Sequence, residues 1–416
     1  MYTDIAVIGG GPAGMAAALS AVKLNKSVVI FERDERLGGV LNQCIHNGFG
    51  IHYFGEELTG PEYAKRFADT VMASSITVKS ETTVLSITDD KIITAVNASD
   101  GVFRIQAKAV ILAMGCRERT AGSIMLAGTR PSGIYTAGTA QKLINTKGLA
   151  VGKRAVILGS GDIGLIMARR LTLEGAAVLA VLELMPYSSG LKRNIVQCLD
   201  DFGIPLLCNR TITKVVGKDR LEGVYYAETD KNLKPIKETE RFLECDTLLL
   251  SVGLIPELDL IADNDIRINP ATNSAYVDEG RMTSVDGIFA AGNVLHVHNL
   301  VDNVSEEGHI AGASAALYAD MTDAQRAQRA DRINIRAGDG IKYVIPNYIN
   351  TPSKSGVDLY FKVKDVYKDC EVCVLSDGET IYKKNRRILT PGETEKIRLD
   401  GKGLNKDTEV FVRERK

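Results

Sequence analysis

A Gly-x-Gly-x-x-Gly pattern occurs twice in this chain, at residues 9–14 and again at residues 159–164. Each copy follows a short apolar run typical of a buried strand and precedes a segment with the composition of a helix. Glycines at these positions permit a tight turn, and they let the backbone amides that open the helix approach a pyrophosphate. The repetition therefore predicts two strand–turn–helix units, each within its own parallel α/β domain.

An acidic residue ends the strand that follows each glycine pattern. Glu32 lies about 20 residues beyond the first pattern, and Glu183 lies about 20 residues beyond the second. A carboxylate at this place can accept hydrogen bonds from an adenosine ribose. In the second copy it favours NAD(H), because it would repel the 2′-phosphate of NADP(H), although Arg193 could still reach such a phosphate. We therefore predict two dinucleotide sites, and a second fold that binds nothing is the alternative.

Further strands are predicted between and after these units. Residues 76–109 alternate apolar and polar side chains between Asp/Asn-Gly turns, which is typical of antiparallel strands. Buried strands are expected at 109–115 and 246–253, and residues 283–293 predict a strand that ends in a glycine turn. Asp302 is predicted to cap a helix that follows it, Asn303–Ala319.

The tail of the chain differs in character from the rest. Residues 323–332 are polar and rich in Ala and Gln, which is typical of a linker or a connecting helix. Beyond them, alternating segments separated by Gly and Pro turns predict a small β-rich domain, with a sandwich as one possibility.

Charge and cysteine content exclude several classes of protein. Lys and Arg total 51 and Asp and Glu total 52, so the chain lacks the excess of positive charge that a nucleic-acid binder shows. No apolar run approaches the roughly 18 residues that span a bilayer. The strand predicted at residues 4–9 leaves no room for a signal peptide. Seven scattered cysteines suit a reducing cytoplasm better than a disulfide framework. We expect a cytoplasmic protein without a nucleic-acid partner or a transmembrane segment.

Three features together resemble the pyridine nucleotide–disulfide oxidoreductase superfamily. They are the two glycine patterns, the strand end Ala113-Met-Gly115, and the segment Thr283–Asn293, which resembles the second FAD motif of that superfamily. The resemblance implies an α/β fold with two Rossmann-like dinucleotide-binding domains, the NAD domain inserted in the FAD domain, and a small C-terminal β-rich domain. It also implies a flavoprotein with FAD and NAD, or NADP, as cofactors. The implied domains are FAD-binding at 1–120 and 254–325, NAD(P)-binding at 121–253, and β-rich at 333–416.

A narrower resemblance lies in residues 115–119, 128–131 and 135–141. These segments resemble the FAD/NAD subunits of opine oxidase, hydrogen cyanide synthase and hydroxyproline dehydrogenase complexes, and the oxidoreductases that accompany a glycerol-3-phosphate dehydrogenase-like flavoprotein. The resemblance implies hydride exchange between nicotinamide and flavin in a multisubunit dehydrogenase, in which another flavoprotein subunit oxidises the substrate. A homo-oligomer or a hetero-complex is expected. The alternatives are a thiol or sulfur-species reductase and a non-catalytic FAD-binding assembly subunit.

The chain departs from the superfamily pattern in three places. Asn293 stands where the superfamily usually has Asp, although an amide can still hydrogen-bond a ribityl hydroxyl. No Cys-x4-Cys follows the pair Gly38-Gly39, so ordinary disulfide-reductase chemistry is not implied. The cysteine-rich iron–sulfur segment of the opine-type subunits is also missing from the sequence, so any such cluster would belong to another chain.

The candidate cofactor-binding residues belong to the glycine patterns, the two acids, the strand ends and the start of the last helix. They are Gly9, Gly11, Pro12, Ala13, Gly14, Glu32, Arg33, Gly39, Ala113, Gly115, Gly159, Gly161, Asp162, Ile163, Gly164, Glu183, Gly253, Gly292, Asn293 and Val301. Backbone amides near Val301 could stabilise the negative edge of a reduced flavin, because the positive end of the helix dipole lies there.

Two residues after the Gly38-Gly39 pair are candidates for catalysis. In the superfamily this segment passes beside the flavin ring, so Cys44 and His46 could serve as a redox thiol and its base. A packed, inert cysteine is the alternative, because free cysteines are among the most buried residues.

The remaining reactive side chains are weighed against ordinary packing. His296 and His298 could line the mouth of the active site, whereas His309 is expected to be packed within its helix. Arg117 and Arg119 either pair with dinucleotide phosphates or form a solvated charge run. Cys370 and Cys373 are expected to point to opposite faces of a strand and to pack, since the tail offers too few ligands for zinc. No metal site is predicted.

Overall fold

The computed structural model describes residues 2–327, 332–350, 356–400, 404 and 406–415. Its internal contacts divide the chain into two compact units, one formed by Met1–Cys116 with Pro256–Lys416 and the other by Arg117–Ile255. The second unit therefore interrupts the sequence of the first. The predicted linker at 323–332 begins with a short helix, and its residues 328–331 lie outside the described residues.

The helices and strands follow one another in this order. Before the insertion they are β1 Tyr2–Ile8, α1 Pro12–Val22, β2 Val28–Phe31, β3 Asn47–Phe49, β4 Leu58–Thr59, α2 Gly60–Met72, β5 Thr77–Lys79, β6 Thr83–Ile87, β7 Ile92–Asn97 and β8 Gly101–Leu112. In and around the insertion they are β9 Cys116–Glu118, β10 Ile134–Thr136, α3 Ala137–Lys147, β11 Arg154–Leu158, α4 Asp162–Leu173, β12 Ala177–Glu183, α5 Lys192–Cys198, β13 Leu206–Cys208, β14 Arg210–Gly217, β15 Leu221–Glu228, β16 Arg241–Glu244, β17 Thr247–Leu250 and β18 Leu254–Pro256. After it they are β19 Ile268–Asn269, β20 Ser274–Ala275, β21 Ile288–Ala290, α6 Val301–Asp320, α7 Asp323–Ala327, β22 Arg332–Ala337, β23 Ile341–Ile345, β24 Tyr348–Asn350, β25 Val357–Val363, β26 Tyr367–Ser376, β27 Glu379–Leu389, β28 Glu395–Leu399 and β29 Thr408–Glu414.

The first unit is built on a mixed sheet in the order β5-β2-β1-β8-β7-β6, and β21 also pairs with β8. Strands β5, β2, β1, β8 and β21 run parallel, whereas β6 and β7 extend β8 as an antiparallel meander. The predicted meander and the buried strand after it share β8, which is a single strand of twelve residues. Its last four residues are all buried, which is typical of a strand whose sheet is covered on both faces.

Helices α1 and α6 pack closely on the same side of this sheet. Gly308 and Gly312 of α6 lie against the backbone of Ala13 and Ala17 in α1, so a Cβ atom at either glycine would approach a carbonyl oxygen to 2.3 Å or less. Small residues on both helices permit this close approach. It places the start of α6 near the first glycine pattern.

The second unit contains the other parallel sheet, in the order β10-β17-β11-β12-β13. An antiparallel sheet, β14-β15-β16, completes this unit. The pairing of β11 with both β12 and β17 is parallel, as the predicted strand–turn–helix unit requires. The carboxyl end of β11 leads directly into the second glycine pattern.

The C-terminal region folds as two facing β-sheets, β24-β22-β29-β26-β27 and β23-β25-β28. Apolar residues from both sheets form one core, which includes Val344, Leu359, Val372 and Val410. The fold class is thus as predicted, with two Rossmann-like folds and a small β-rich domain. Among the described residues, no helix is long and apolar enough to cross a membrane.

One predicted helix boundary is wrong. Helix α6 begins at Val301, with Leu300 in the capping position, so Asp302 lies inside its first turn and does not cap it. The Asp302 side chain is buried, and its Oδ2 accepts a hydrogen bond of 3.2 Å from the backbone amide of His52. A carboxylate in the first turn still interacts favourably with the helix dipole. Asp302 therefore indicates the start of α6 correctly to within two residues.

Candidate functional site

The first glycine pattern forms a tight loop between β1 and α1. Gly9 adopts a φ of +103°, and a Cβ atom there would lie 2.5 Å from the carbonyl oxygen of Ala113. A Cβ atom on Gly14 would lie 1.9 Å from the carbonyl oxygen of Gly9, so only glycine lets the helix start this close to the strand. A Cβ atom on Gly11 would meet no described heavy atom within 4 Å. The loop is therefore closed against the protein and open on the side where a ligand would approach.

The start of α1 suits a pyrophosphate. The helix begins at Pro12 after Gly11, and no described side chain caps its first amides. Free amides and the positive end of the helix dipole together favour an anion at this point. Ala13 is buried at the same end of the helix.

Glu32 accepts a hydrogen bond from the first glycine loop. Its Oε2 accepts a hydrogen bond from the backbone amide of Gly10, and its Oε1 accepts one from that of Asp34, each at 2.8 Å. Glu32 is buried, whereas the neighbouring Arg33 is exposed. The carboxylate is thereby held at the carboxyl end of β2, beside the glycine loop.

The second glycine pattern repeats this arrangement in the other unit. Gly159 has a φ of +95°, and a Cβ atom there would lie 2.1 Å from the carbonyl oxygen of Ser251. Helix α4 starts after Gly161, again without a side-chain cap among the described residues. Gly164 packs against Gly159 and Ser251.

Glu183 occupies the same place as Glu32. Its Oε2 accepts from the amide of Ser160 at 2.9 Å and also from the Ser160 hydroxyl, and its Oε1 accepts from the amide of Met185 at 2.9 Å. In both units, one carboxylate thus joins the second residue of the glycine pattern to the residue two positions after the acid. Two segments distant in sequence therefore share the same hydrogen-bond pattern.

Asp162 has a role that the glycine pattern does not reveal. Its Oδ1 accepts hydrogen bonds from the backbone amide of Leu191 and from the Asn194 side chain, both at 2.7 Å. The loop before α5 is therefore tied to the start of α4. Ile163 packs at the edge of the core of this unit. Asp162 positions the loop through these bonds, and the cofactor contact predicted for it stays a prediction.

The predicted strand ends meet around the first loop. The amide of Ala113 donates to the carbonyl of Ile8 at 2.9 Å, which continues the β1–β8 pairing. Gly292 packs against Ala13, where an added Cβ atom would lie 2.8 Å from the alanine Cβ. Gly39 lies near Gly11, where an added Cβ would come within 3.2 Å of its Cα. Residues far apart in sequence thus surround one loop.

The predicted cofactor-binding residues Asn293 and Val301 lie at the end of β21 and at the start of α6. Asn293 follows Gly292 at the carboxyl end of β21, and its Oδ1 accepts a hydrogen bond of 3.1 Å from the backbone amide of His298. Val301 is the first residue of α6 and is partly buried against the core. Gly115, with a φ of +74°, ends the turn after β8.

Near the start of the second unit, the predicted phosphate-binding arginines Arg117 and Arg119 are exposed. The backbone amide of Arg119 donates to the carbonyl of Gly253 at 3.0 Å, so the residues after β9 and β17 are joined. This bond fixes the backbone of Arg119 and leaves its guanidinium at the surface. Phosphate pairing by these arginines stays a prediction.

Cys44 lies in a packed environment. It is 8% exposed, and its Sγ donates to the carbonyl of Val40 at 3.3 Å. Burial raises the pKa of the Cys44 thiol to about 12. His46 Nδ1 lies 3.0 Å from the carbonyl oxygen of Asn47, and the His46 ring contacts Phe49. A protonated thiol is a poor nucleophile, so these surroundings favour the packing role.

Cys44 is expected to be dispensable for electron transfer between NADH and flavin. The native thiol should resist iodoacetamide at neutral pH, because a pKa near 12 leaves almost no thiolate. The Cys44→Ser variant should be reduced by NADH at the native rate. Mass spectrometry of alkylated native and denatured protein measures the first expectation, and stopped-flow absorbance measures the second. Rapid native labelling, together with loss of turnover in a variant whose flavin NADH still reduces, would support the redox hypothesis instead.

The histidines after Asn293 lie in a buried charged cluster. His298 Nε2 is 3.0 Å from Glu307 Oε2, and His296 Nε2 is 3.5 Å from Glu307 Oε1. Arg281 donates through Nε to Glu307 Oε1 at 2.8 Å. The prediction that the two histidines line an open mouth does not hold, because both side chains are buried. The sequence analysis missed Arg281 and Glu307, since neither belongs to a motif and each looks like an ordinary surface charge.

The other cysteine and histidine predictions concern packing. Cys370 and Cys373 lie on β26, where a three-residue offset points side chains to opposite faces, and both are buried. His309 lies on α6, where its Nδ1 is 2.7 Å from Ser20 Oγ and its Nε2 is 2.6 Å from the Tyr53 hydroxyl. Its two ring nitrogens thus have partners within the fold.

Comparison with known proteins places this arrangement in a family. The family model described as Pyridine nucleotide-disulphide oxidoreductase matches residues 3–318. An opine oxidase subunit of Agrobacterium tumefaciens is 26% identical over 348 residues, which cover 76% of this chain and 65% of that relative. Hydrogen cyanide synthase subunit HcnB of Pseudomonas protegens is 24% identical, with 76% of this chain and 68% of HcnB covered.

A solved structure shows the same fold. The thioredoxin reductase of T. acidophilum superposes with a TM-score of 0.62 at 25% identity, covering 77% of this chain and 98% of that enzyme. The family match ends before the C-terminal β-rich domain, and the chain spans less than two thirds of the length of the opine oxidase relative. Because the family model covers both glycine patterns and both acids, the chain belongs to the pyridine nucleotide-disulphide oxidoreductase family of FAD- and NAD(P)H-binding oxidoreductases, which confirms the predicted enzyme class and cofactors.

Proposed function

We propose that this protein exchanges a hydride between NAD(H) and FAD, as the electron-transfer subunit of a multisubunit dehydrogenase. The observation that carries the proposal is the repeated carboxylate–glycine loop, in which Glu32 and Glu183 make equivalent hydrogen bonds in separate units. One loop would hold FAD and the other NAD(H). When bound, the two cofactors supply the redox chemistry, and the protein supplies orientation and electrostatics.

The residues of the first unit fit an FAD molecule. The uncapped start of α1 would bind the pyrophosphate, and the Glu32 carboxylate would accept hydrogen bonds from the adenosine ribose. Gly292 packs against Ala13 of α1 and Val304 of α6, so Asn293 and the first turn of α6 would contact the ribityl chain and flavin, as the superfamily resemblance implies. The dipole of α6, a helix of twenty residues, would stabilise negative charge near its first turn.

The proposed partner is a separate flavoprotein subunit that oxidises the substrate. Two curated relatives, from opine oxidase and hydrogen cyanide synthase, are named as subunits of larger enzymes. The substrate class by analogy is an amino acid, a hydroxy acid or glycerol 3-phosphate. The β-rich domain lies beyond the family match and offers a surface for assembly. The seven cysteines are scattered along the chain, which suits a cytoplasmic location.

Anaerobic titration of the purified protein with NADH tests the proposal directly. We expect the visible absorbance of oxidised flavin to bleach with one NADH per FAD, and NADPH to act more weakly. Bound flavin that NADH does not bleach would contradict the proposal and favour a non-catalytic role in assembly. A protein that binds no flavin after incubation with FAD would contradict both.

Replacing Glu183 with alanine is expected to weaken NADH binding without loss of FAD. The change removes the acceptor for the Ser160 and Met185 amides and for a ribose, and a hydrogen bond to a charged group contributes about 1.5–3 kcal/mol. The Kd for NADH should therefore rise by about tenfold or more. The dependence of flavin reduction on NADH concentration measures it.

The matched control for this variant is Glu174→Ala. Glu174 ends α4 and pairs with Arg170 at the surface, away from the glycine loop. It should retain the native Kd for NADH. Equal effects of the two substitutions would show that Glu183 has no special part in binding.

A further inference from the structure

Four charged or titratable side chains lie together inside the first unit. Arg281, His296, His298 and Glu307 are at most 8% exposed, and Glu307 is completely buried. The Arg281–Glu307 pair is the centre of this His–Glu–Arg cluster, and the two imidazole rings lie beside it with centroids 4.0 Å apart. Charged residues are seldom buried to this extent without a partner or a function.

The contacts within the cluster leave several ring nitrogens without partners. A carboxylate only accepts, so His298 Nε2, which lies 3.0 Å from Glu307 Oε2, donates to it and leaves Nδ1 as the second nitrogen of that ring. His296 Nε2 lies 3.5 Å from Glu307 Oε1 and makes no hydrogen bond with a described residue. Neither His296 Nδ1 nor His298 Nδ1 has a hydrogen-bond partner among the described residues, and the same is true of Arg281 Nη2.

Such unpaired groups are costly for stability. A buried polar atom without a partner costs about 1–3 kcal/mol, and apolar side chains of similar size often stabilise a core better than buried charges. Stability alone therefore does not account for this cluster. Two buried rings whose Nδ1 atoms lack partners among the described residues have the composition of a proton acceptor.

The cluster is connected directly to the proposed flavin site. Glu307 Oε2 accepts from the backbone amide of Gly292 at 2.8 Å, besides its contact with His298. The backbone amide of His298 donates to Asn293 Oδ1 at 3.1 Å. Hydrogen bonds thus connect the histidine pair to the turn at Gly292 and Asn293, and this turn would hold the ribityl chain. Asn293 itself contributes no charge there, unlike the aspartate usual in the superfamily.

The side chains of other elements that face His296 and His298 carry no net charge. From the β-rich domain, the rings of Tyr343 and Tyr360 lie 5.9 and 5.6 Å from His296, and burial raises the pKa of both phenols, so they remain neutral. The Tyr360 hydroxyl donates to Glu306, which also pairs with Lys396 at the surface. Arg281 and Glu307 compensate each other, which leaves the imidazoles as the groups able to change charge.

We propose that His296 and His298 form a buried proton acceptor, which takes up one proton when the flavin bound beside Gly292 and Asn293 is reduced. This inference rests on the proposed function. Burial lowers the pKa of His296 to about 4, so the ring is neutral at physiological pH. A negative charge nearby favours the imidazolium and raises that pKa.

The proposed step balances in atoms and charge. The C4–H bond of NADH breaks, its hydride forms the N5–H bond of the flavin, and NAD⁺ is released. The flavin gains two electrons and one proton and thereby acquires one negative charge. One proton from solvent then binds a vacant Nδ1 of the pair, and the imidazolium compensates the new charge. Two protons therefore accompany two electrons.

A divalent metal ion is the competing occupant of the same place. His296, His298 and Glu307 present one ligand atom each, all within 4.8 Å of one another. However, Arg281 already donates to Glu307 Oε1, so a divalent cation would leave this buried site with an excess of positive charge. The charge distribution therefore favours a proton.

The pH dependence of the flavin midpoint potential tests the inference. In the native, FAD-loaded protein we expect the midpoint potential to fall with rising pH, between about pH 5 and pH 8, with the slope for two protons per two electrons. The His296→Asn and His298→Asn variants should each take up one proton fewer per flavin. Proton uptake on anaerobic reduction, measured with an indicator dye in weak buffer, gives the same count independently.

The matched control is His309→Asn. His309 also lies on α6 and is half-buried, but Ser20 and Tyr53 already occupy its ring nitrogens, so its replacement should leave the proton count unchanged. FAD content and circular dichroism establish that each variant is folded. The native measurement needs no variant, so the inference can be tested even if a substitution prevents folding.

Several results would overturn the inference. A native slope of one proton per two electrons would do so, as would histidine variants with the native slope. Stoichiometric metal in the purified protein, lost on His298→Asn substitution, would replace the proton acceptor with a metal site. Flavin that binds and is reduced by NADH while these tests fail would leave the proposed function intact. A protein without flavin would overturn both.

Discussion

Replacing Gly14 with valine is expected to leave the purified protein without FAD. A Cβ atom at this position would lie 1.9 Å from the carbonyl oxygen of Gly9, so the start of α1 must move away from β1. The backbone amides that would bind the pyrophosphate move with it. The ratio of flavin to protein after purification and reconstitution with FAD measures the effect.

Two further glycine variants make this expectation specific. Gly164→Val changes the equivalent position of the second loop, where a Cβ atom would lie 2.8 Å from Gly159 and Ser251. It should keep FAD and lose reduction by NADH. Gly101→Ala, in an open hairpin turn with a φ of +65°, should cost about 1 kcal/mol of backbone strain and retain both. If Gly14→Val kept its flavin, or if Gly164→Val lost it, the assignment of the two loops would be wrong.

Replacing Glu307 with alanine should lower the free energy of unfolding by about 3–5 kcal/mol, because it leaves the buried guanidinium of Arg281 without a counter-charge. The backbone amide of Gly292 and His298 Nε2 also lose their acceptor. Urea denaturation followed by circular dichroism measures the change. A bound flavin should be released at lower urea as well.

The neighbouring Glu306 provides the control for Glu307. It lies on the same turn of α6, but its side chain is half exposed and pairs with Lys396 at the surface. An exposed ion pair contributes about 0–1 kcal/mol, so Glu306→Ala should change the free energy of unfolding by no more than that. Similar losses in the two variants would show that the buried pair is not a centre of stability.

The sequence alone indicates the role of Gly14 but not the role of Glu307. Gly14 belongs to a pattern whose spacing is dictated by local backbone geometry, so the residues alone indicate its role. Glu307 is one of many acids in helices, and its neighbour Glu306 looks identical in the sequence. Only the packing of α6 distinguishes the buried carboxylate from the exposed one.

The same distinction explains the misplaced helix cap. Asp302 has the residue type of a helix cap, but the chain enters α6 two residues earlier and turns its carboxylate toward His52. Asp162 belongs to the second glycine pattern, and its side chain also accepts hydrogen bonds from Leu191 and Asn194. In each case a side chain found a partner distant in sequence, which local rules cannot anticipate.

The sequence by itself determined the two Rossmann-like units, their glycine loops and their acids, because tight turns and strand ends impose residue types at short, regular spacings. The tertiary structure alone decided which reactive side chains are buried and what they face. It placed Cys44 in a packed site and joined His296, His298, Arg281 and Glu307 beside Gly292. Burial and charge pairing depend on segments brought together only when the chain folds, and a linear pattern carries no record of those contacts.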